Sequence, residues 1–558
     1  MRPYNIVWTV VDSVRHYHTD GDDRGRLKIM DEFAEQAVEF RKVVTSAPST
    51  VMSISAMMTS LPAYYLGRNY TDFRFDNEYF TTFSSILNKA GYTTRALIMH
   101  RDIREKLRVF DLIPRKYWPP GYSHRDWWDN AKINRLLHNA IAMDGTDLPR
   151  PVFWFLDFNC RKDPKTSDYV KDSLAALEAA GYTRDNTIYI LCSDHGYPDP
   201  ARGITPEELK RKNMTHDIFM TDDNLLIPLL IRYPGCQQGQ QIETTVSSLD
   251  IMPTLLDLLE IDAPENVRKR WQGKSLLPLL HDEHTGGNQG RKLRTDARFM
   301  GQSGRVSALR DDAFKYVYHH DDGREEFFDV SVFTLDEIDI STRDDARVQR
   351  ALLDFRGAFR ESEAQGVAFQ IDYATHRLGK QMAKIKKPGR VSPLRILVLS
   401  TAGNTFLHSL GVALRKVEPD AEISLVAPAG MFKDDTEKAS FDRVLMFVGK
   451  MDLRVDMATR AQLDAARYDL AILIYDSAAK SDFEGLWAFA GGIKSSKQVM
   501  MDLNMSISVR KGQVHRYLRT IWANRLFFRQ EPSLVFFEIW KIARTLYLHT
   551  KLKVLGVH

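Results

Sequence analysis

The sequence predicts an α/β fold. A mostly parallel sheet carries a small antiparallel sheet at its C-terminal side, and a second doubly wound α/β domain and a helical tail follow. Three observations carry this. Short apolar, β-branched runs alternate with helical stretches over the first 260 or so residues, the pattern of strands joined through crossover helices. Between about 300 and 345 the runs Val306–Arg310, Phe314–Tyr318 and Glu326–Val330 alternate at period two, as short antiparallel strands do. Beyond a basic, Pro/Gly-containing linker, Gln381–Pro393, the strand–helix alternation starts again.

Each element has its own reason. Asn5–Asp12 is an uninterrupted apolar run ending on a carboxylate, as a strand buried on both faces would be. Ser13–His18 is polar and crosses the top of the sheet. Ile29–Glu39 has helical periodicity, and Phe40–Thr45 returns as a strand. A hydroxyl-rich turn, Ser46–Thr50, leads into a helical pattern that runs to Pro62. Phe83–Ala90 reads as a helix stopped by Gly91, and Tyr92–Met99 as a strand. Residues 101–150 read as irregular, with a Trp/Tyr/Pro patch at Tyr117–Pro120 and Trp127–Trp128 that suits a loop packed on the core, with a substrate mouth as the alternative. Pro151–Phe158 is a strand, Asp168–Ala180 a helix closed by Gly181, and Asn186–Ser193 the strand that delivers Asp194 and His195. Leu225–Tyr233 is a further strand, ended by Pro234 and Gly235. Asp250 is placed at the N-cap of a helix, Asp250–Leu259, with Pro253 in its first turn. A polar helix at about 342–365 follows the small sheet. In the second domain, strands are expected at Arg395–Ser400, Ile423–Ala427, Val444–Val448, Leu470–Tyr475 and Gln498–Leu503, a Rossmann-like unit. Its first loop, Thr401–Thr405, is not GxGxxG, so nothing there indicates a dinucleotide. The expected domains are 1–380, a linker 381–393, 394–508, and a basic amphipathic tail 509–558.

The totals bound the function. At 558 residues, 44% hydrophobic and 27% charged, the chain has the material for two or three globular domains. Cys160, Cys192 and Cys236 lie far apart with no CxxC spacing, which offers neither a disulfide framework nor a zinc cluster and points to a reducing compartment. Met1–Asn5 enters a strand at once without a signal-peptide pattern, and no apolar run approaches the roughly 20 residues of a membrane span. A cytoplasmic location is expected, peripheral on the membrane if the tail binds there. Arg510–His558 holds ten Lys/Arg against two Glu, a net +8 within a chain of net +4, so the preceding residues together carry −4. Bases interleave there with Tyr517, Trp522, Phe527, Phe528, Phe536, Phe537 and Trp540, which suits an anionic membrane surface or packing on the preceding domain. No motif accompanies the charge that would indicate nucleic acid.

Two buried strands ending in acidic or imidazole groups, with a hydroxyl-rich turn between them in sequence, are how a metal-activated hydroxyl nucleophile is built. The order of the motifs adds to this. Asn-Ile-Val-x-x-Val-Val-Asp-Ser-x-Arg (5–15), Pro-Ser-Thr-x-x-Ser-x-x-x-x-Thr-Ser-Leu-Pro (48–62), Asn-Thr-Ile…Ser-Asp-His-Gly (186–196) and His216-Asp217 with Ile227–Gly235 come first. Leu249–Leu256, Gly273–Pro278, and Lys315-Tyr316 with Glu326–Asp329 then follow. In this order the N-terminal ~340 residues resemble the sulfatase branch of the alkaline phosphatase superfamily.

The resemblance implies a site. The family nucleophile stands nine residues before the Thr of a Thr-Gly pair; here that Thr is Thr59, with Ser60 in place of the Gly, so the nucleophile position is Thr50. The competing register makes Ser46 the modified residue of a Ser-x-Pro-x-Arg signature, but the Arg is absent. Asp12, Asp194 and His195 are the implied metal ligands with Thr50 as the fourth group. His216 is the implied group that contacts or protonates the ester, and Arg15 is a substrate-binding candidate, with a plain surface role as the alternative. Carboxylates with one imidazole favour Zn²⁺ or Mn²⁺ over Ca²⁺ or Mg²⁺ for one divalent ion. One family feature is missing. The strand at 151–158 ordinarily leads into a histidine-containing loop, whereas Asp157–Lys162 has none, leaving Asn159, Arg161 or Lys162 to rebuild that part of the pocket.

Threonine cannot become an aldehyde, so the expected chemistry is attack by an unmodified alkoxide on a phosphate ester through a phosphothreonine. A phosphodiester or a glycan- or lipid-linked phosphate is the expected substrate. The alternatives are a sulfate-ester hydrolase, and a non-catalytic scaffold of this fold recruited to a membrane surface. Oligomeric state is not legible. The second domain resembles, loosely, one lobe of a two-lobed glycosyltransferase and reads as a binding or docking module.

Overall fold

The computed structural model describes residues 3–19, 25–66, 79–99, 129–144, 151–160, 164–203, 216–281, 290–298, 305–385, 393–400, 404–429, 439–447, 463, 465–475, 493–502 and 507–509. His100, which follows the expected strand Tyr92–Met99 and reads as a structural or surface residue rather than one facing the site, lies outside them, as do the aromatic patch at 117–128, Arg161, Lys162, the loop 401–403 and the tail from 510 onward. The chain divides into two compact units, Met1–Ala364 and Gln365–His558.

In the first unit the main sheet is built from β1 (Asn5–Asp12), β2 (Val38–Val44), β3 (Thr93–Ile98), β4 (Val152–Asn159), β5 (Thr187–Ser193), β6 (Leu226–Arg232), β7 (Gln240–Ile242) and β8 (Val246–Ser247). Their order is β3-β4-β1-β5-β6-β2-β7, with β8 also on β2. β1 is central, parallel to β4 on one side and β5 on the other, and β6 runs against both its neighbours. This is why Ile6–Asp12 is buried throughout. Val7 and Val11 join a core with Met30, Phe33, Leu136, Leu137 and Leu174 from helices on one face. Trp8 turns to the other face, edge-on to Phe83 and Phe155. The register pairs Val11 with Ser193 and Asp12 with Asn159, so the C-terminal ends of three adjacent strands stop at one level.

Three expectations need correction. The helix expected at Ile29–Glu39 is short, Lys28–Ala34, because the chain has already entered β2 at Val38. Residues 101–150 are not all irregular, since Asn130–Asp144 is a helix whose Ile133, Leu136 and Leu137 reach the core. The small sheet has four strands, β9 (Leu293–Arg298), β10 (Arg305–Arg310), β11 (Phe314–His319) and β12 (Glu325–Asp329), in the antiparallel order β12-β11-β10-β9. β9 escaped the apolar pattern because its inward positions are charged. Arg294 donates through Nε to Asp296 Oδ2 at 2.9 Å and lies 3.9 Å over the Tyr64 ring.

The polar helix is longer than expected, Ala346–Ile385; Val348, Leu352, Phe355 and Phe359 pack its first half on Leu309, Phe314, Tyr316 and Phe327 of the small sheet. Beside it Ser307 donates to Asp296 Oδ1 at 2.6 Å, and His320 Nε2 lies 2.9 Å from the Ser307 hydroxyl. Burial, with Arg305 beside it, pushes His320 down from 6.5 to about 4. Its folded form resists protonation more than the unfolded chain does, so it contributes stability that is present above about pH 6.5 and is lost as pH falls through about 4. His320→Gln is expected to flatten the stability slope across that window in denaturant titrations at stepped pH.

The second unit holds a six-stranded sheet of β13 (Arg395–Ser400), β14 (Glu422–Pro428), β15 (Arg443–Phe447), β16 (Tyr468–Tyr475), β17 (Ser495–Asp502) and β18 (Ile507–Val509), ordered β15-β14-β13-β16-β17-β18. All pairs are parallel except the last, and the order reverses between β13 and β16 as in doubly wound sheets. Ile396, Val398, Ile423, Leu425, Ile472 and Ile474 are fully buried, as strands covered on both faces require. No helix of the described residues is long and apolar enough to cross a membrane.

Candidate functional site

The site lies at the C-terminal ends of β1 and β5. Asp12 ends β1, and Asp194 and His195 follow β5; ligand atoms of all three lie within 4.8 Å of one another, and all three residues are buried. His195 Nε2 is 3.5 Å from Asp12 Oδ1 and 3.4 Å from Asp194 Oδ2. Its Nδ1 donates to the Gly196 carbonyl, which can only accept, at 2.7 Å, and this orients Nε2 toward the two carboxylates. Burial pushes the Asp194 carboxyl up, and its Oδ2 has no hydrogen-bond partner among the described residues. Two buried acids and an imidazole nitrogen converging on one point, with a carboxylate oxygen that has no hydrogen-bond partner among the described residues, fit a divalent cation.

Thr50 opens the helix Thr50–Thr59, as its first residue rather than its cap; the cap position is Ser49, whose side chain makes no capping bond. Thr50 Oγ1 stands 3.4 Å from Asp12 Oδ1 and 3.2 Å from His195 Nε2, at the positive end of the helix. One turn on, Ser53 donates to the Asp194 carbonyl at 2.7 Å, and Thr45 donates to the same carbonyl at 2.6 Å. These two buried hydroxyls tie the helix to the strand end that carries Asp194. Its last residue is followed by Ser60 in the left-handed region (φ 56°), where the hydroxyl donates to Leu249 O at 3.0 Å. Ser46 is elsewhere: its hydroxyl accepts from the Ala63 amide at 3.1 Å.

His216 stacks on His195, ring centroids 4.9 Å apart, and its Nε2 lies 3.1 Å from Asp217 Oδ1. Tyr197 lies against the same ring at 5.0 Å. Arg15 is fully buried, which removes the surface alternative; its Nη1 donates to the carbonyls of Tyr197 (3.1 Å) and Pro198 (3.4 Å), bracing the loop that follows His195. Asn159 pairs with Asp12 at the end of β4, and its carbonyl accepts from Asn130 Nδ2 at 2.7 Å. Asp250 stands at the N-cap of the helix Ile251–Leu258, as expected, but its side chain makes no capping bond there. Its carboxylate takes the Ser247 amide at 2.8 Å, the Lys274 amide at 2.7 Å and both Nη atoms of Arg291, because a one-turn 3-10 segment, Ser248–Asp250, precedes the helix Ile251–Leu258.

Residue-type reasoning passed over Ser13, Ser193 and Gly196. Ser193 Oγ lies 2.7 Å from the carbonyls of both Val11 and His195 and accepts the Val14 amide at 3.0 Å, which joins the two strand ends. A Cβ on Gly196 would stand 2.1 Å from the Asp223 carbonyl, so only glycine lets that backbone pass behind His195. The signal for Gly196 was in the sequence, directly after Asp194 and His195; for the serines there was none beyond adjacency.

Known proteins resemble this chain in sequence and in fold. The family model described as "Sulfatase" matches residues 4–156 and 165–261, and that described as "N-sulphoglucosamine sulphohydrolase, C-terminal" matches 214–331. Arylsulfatase K of Canis lupus familiaris is 30% identical over 415 residues, covering 57% of this chain and 75% of that protein. Arylsulfatase K of Homo sapiens is 30% identical over 152 residues, 26% of each. A putative sulfatase from Bacteroides thetaiotaomicron superposes with a TM-score of 0.52 at 15% identity, over 65% of this chain and 93% of that one. A structure in complex with its substrate D-glucosamine-2-N,6-O-disulfate superposes with a TM-score of 0.53 at 15% identity, over 65% and 98%. At these identities the superpositions speak for the fold alone, and the family match and the arylsulfatase relative carry the assignment: the chain belongs to the sulfatase family of the alkaline phosphatase superfamily.

Proposed function

We propose that the first unit is a metal-dependent hydrolase of esters of a tetrahedral oxyanion, in the first place sulfate esters on a glycan or small molecule, with Thr50 as the attacking group. The observation that carries this is the Thr50 hydroxyl set against Asp12 and His195 at the mouth of the buried acidic cluster. Membership of the sulfatase family and the arylsulfatase relatives support sulfate as the ester, and the likeness to a structure holding a sulfated glucosamine suggests a glycan.

Asp12, Asp194 and His195 would hold one divalent cation beside Thr50, and that cation would supply Lewis acidity toward the ester oxygens and lower the pKa of the Thr50 hydroxyl. The chain's own residues do the rest. Asp12 Oδ1 is placed to draw on the Thr50 proton as the hydroxyl attacks. The Oγ–sulfur or Oγ–phosphorus bond forms as the bond to the ester oxygen breaks. The departing oxygen takes a proton from His216, which Asp217 orients. Water then attacks the sulfur or phosphorus and gives a proton to His216 as the bond to Thr50 Oγ breaks, and Oγ takes back the proton from Asp12 as the anion leaves.

A second reading has its own support. Thr50 cannot be converted to formylglycine, and an unmodified alkoxide suits phosphoryl transfer through a phosphothreonine. Both are tested by assaying Mn²⁺- or Zn²⁺-loaded protein, and an EDTA-treated control, on an aryl sulfate, a sulfated glucosamine, a phosphodiester and a phosphomonoester. The expected result is metal-dependent sulfate release. Phosphodiester turnover without sulfate release would establish the second reading. Silence on all four with a stoichiometric cation bound would overturn both in favour of a non-catalytic scaffold.

A further inference from the structure

Directly after Asp12 the chain turns through a conformation that its residue type disfavours. Ser13 has φ 65°, in the left-handed region, which among the described non-glycine residues only Ser60 and Glu260 share. Such strain persists where its surroundings over-determine it, and it gathers at functional sites. Here the surroundings are on both sides. The Cys160 thiol lies 2.8 Å from the Asp12 carbonyl and 3.4 Å from that of Ser13, and the Ser193 hydroxyl holds the next amide, Val14, at 3.0 Å.

The turn sends the two donors of one residue to two different acids. The Ser13 amide donates to Asp194 Oδ1 at 3.1 Å, and the Ser13 hydroxyl donates to Asp12 Oδ1 at 2.6 Å. The His195 amide adds a second bond to Asp194 Oδ1 at 2.9 Å. Asp194 is thereby pinned by one oxygen, while its other, Oδ2, is left without a hydrogen-bond partner among the described residues and faces His195 Nε2. At the usual negative φ, the amide and the side chain of Ser13 would take other directions, and one donor pair could not serve both β1 and β5.

We infer that Ser13 is a positioning residue that presets both acidic ligands, holding Asp12 with its hydroxyl and Asp194 with its amide so that Asp12 Oδ1 and Asp194 Oδ2 both face His195 Nε2, where one cation would sit. This rests on the metal reading of the site. Partners that orient ligating groups in this way are worth about 10- to 100-fold in metal affinity.

The test is Mn²⁺ titration of wild type, Ser13→Gly and Ser13→Asn, reading free Mn²⁺ by electron paramagnetic resonance, with melting of each protein in EDTA alongside. Glycine keeps the left-handed backbone and the amide but loses the hydroxyl, so its Mn²⁺ affinity is expected to fall by about 10- to 100-fold while the metal-free melting temperature holds. Asparagine accepts the same backbone and carries a donor, and is expected to recover much of the affinity. Wild-type binding with unchanged affinity in Ser13→Gly would overturn the positioning role and leave the metal reading intact. A lower metal-free melting temperature with unchanged affinity would make Ser13 a turn former only. Absence of Mn²⁺ binding in the wild type would overturn the metal reading and this role together.

Discussion

Thr50→Ala is expected to lower turnover by about 10⁴- to 10⁶-fold, the loss seen when a nucleophile is deleted from an otherwise complete site. The fold should survive, because position 50 is the first of a ten-residue helix in which alanine is favourable. Cation binding should survive as well, since Asp12, Asp194 and His195 are untouched. Thr50→Ser, which keeps a hydroxyl in place, should retain much of the activity. Ser46→Ala supplies the contrast. Its hydroxyl receives the buried Ala63 amide, so its loss should cost about 1–3 kcal/mol of stability and leave turnover per folded molecule unchanged. Steady-state rates with circular dichroism and bound-metal analysis on each variant settle the register. Turnover that survives Thr50→Ala and collapses in Ser46→Ala would move the nucleophile to Ser46.

Asp222→Ala is the substitution expected to harm stability most. Asp222 is buried and receives Lys315 Nζ at 2.9 Å and Arg310 Nη2 at 2.9 Å, and Lys315 also meets Glu337, all in the interior beside the small sheet. Removing the acid takes the carboxylate from Arg310 and leaves Lys315 to Glu337, which Arg202 also engages, a loss of about 3–5 kcal/mol out of the roughly 5–15 that hold a domain together. Denaturant titration reads it directly. A loss under about 1 kcal/mol would mean that water reaches the cluster. The pH dependence has a defined sign. Burial alone would raise the Asp222 carboxyl, but Lys315 and then Arg310 more than reverse it and hold it below the ordinary carboxylate range. Its contribution is therefore complete above the unfolded carboxylate pKa of about 3.9 and is lost as pH falls below that. Replacing Asp222, Lys315 and Arg310 together by apolar residues of similar volume should recover most of the loss.

Much of the first unit could be read from residue patterns because its central strands are buried on both faces and leave uninterrupted apolar runs. Asn5–Asp12 and Arg395–Ser400 coincide with β1 and β13, and β4 and β5 fall within a residue of their expected bounds. The misreadings share a cause, polar residues turned inward. Glu39 is 4% exposed in β2, where Arg26 and Arg41 meet its carboxylate, so Val38 and Glu39 looked like the end of a helix rather than the start of a strand. Arg294 and Asp296 hid β9 in the same way. At the site, Asp12, Thr50, Asp194 and His195 were legible because each stands at the end or the head of an element, and the fold brings them together. His216 joins them by stacking, whereas Arg15 donates to the backbone carbonyls of Tyr197 and Pro198. Ser13 was illegible because its role lies in a sign of φ that nothing about serine announces.

The central place of β1 has a consequence for synthesis. Its two neighbours are far downstream: Ile6 pairs with Phe153 on one side and with Ile188 on the other. Ser13 and the carboxylate it holds are 181 residues apart in the chain. At about 5–20 residues per second, a ribosome leaves that first Val- and Trp-bearing strand without its second partner for roughly 10 to 40 s. No part of the acidic cluster beyond Asp12 exists in that interval. The emerging chain therefore presents its most apolar edge long before it can cover it, and holdase chaperones that recognise extended apolar segments should bind ribosome-stalled chains ending before residue 187 far better than chains that extend past residue 232.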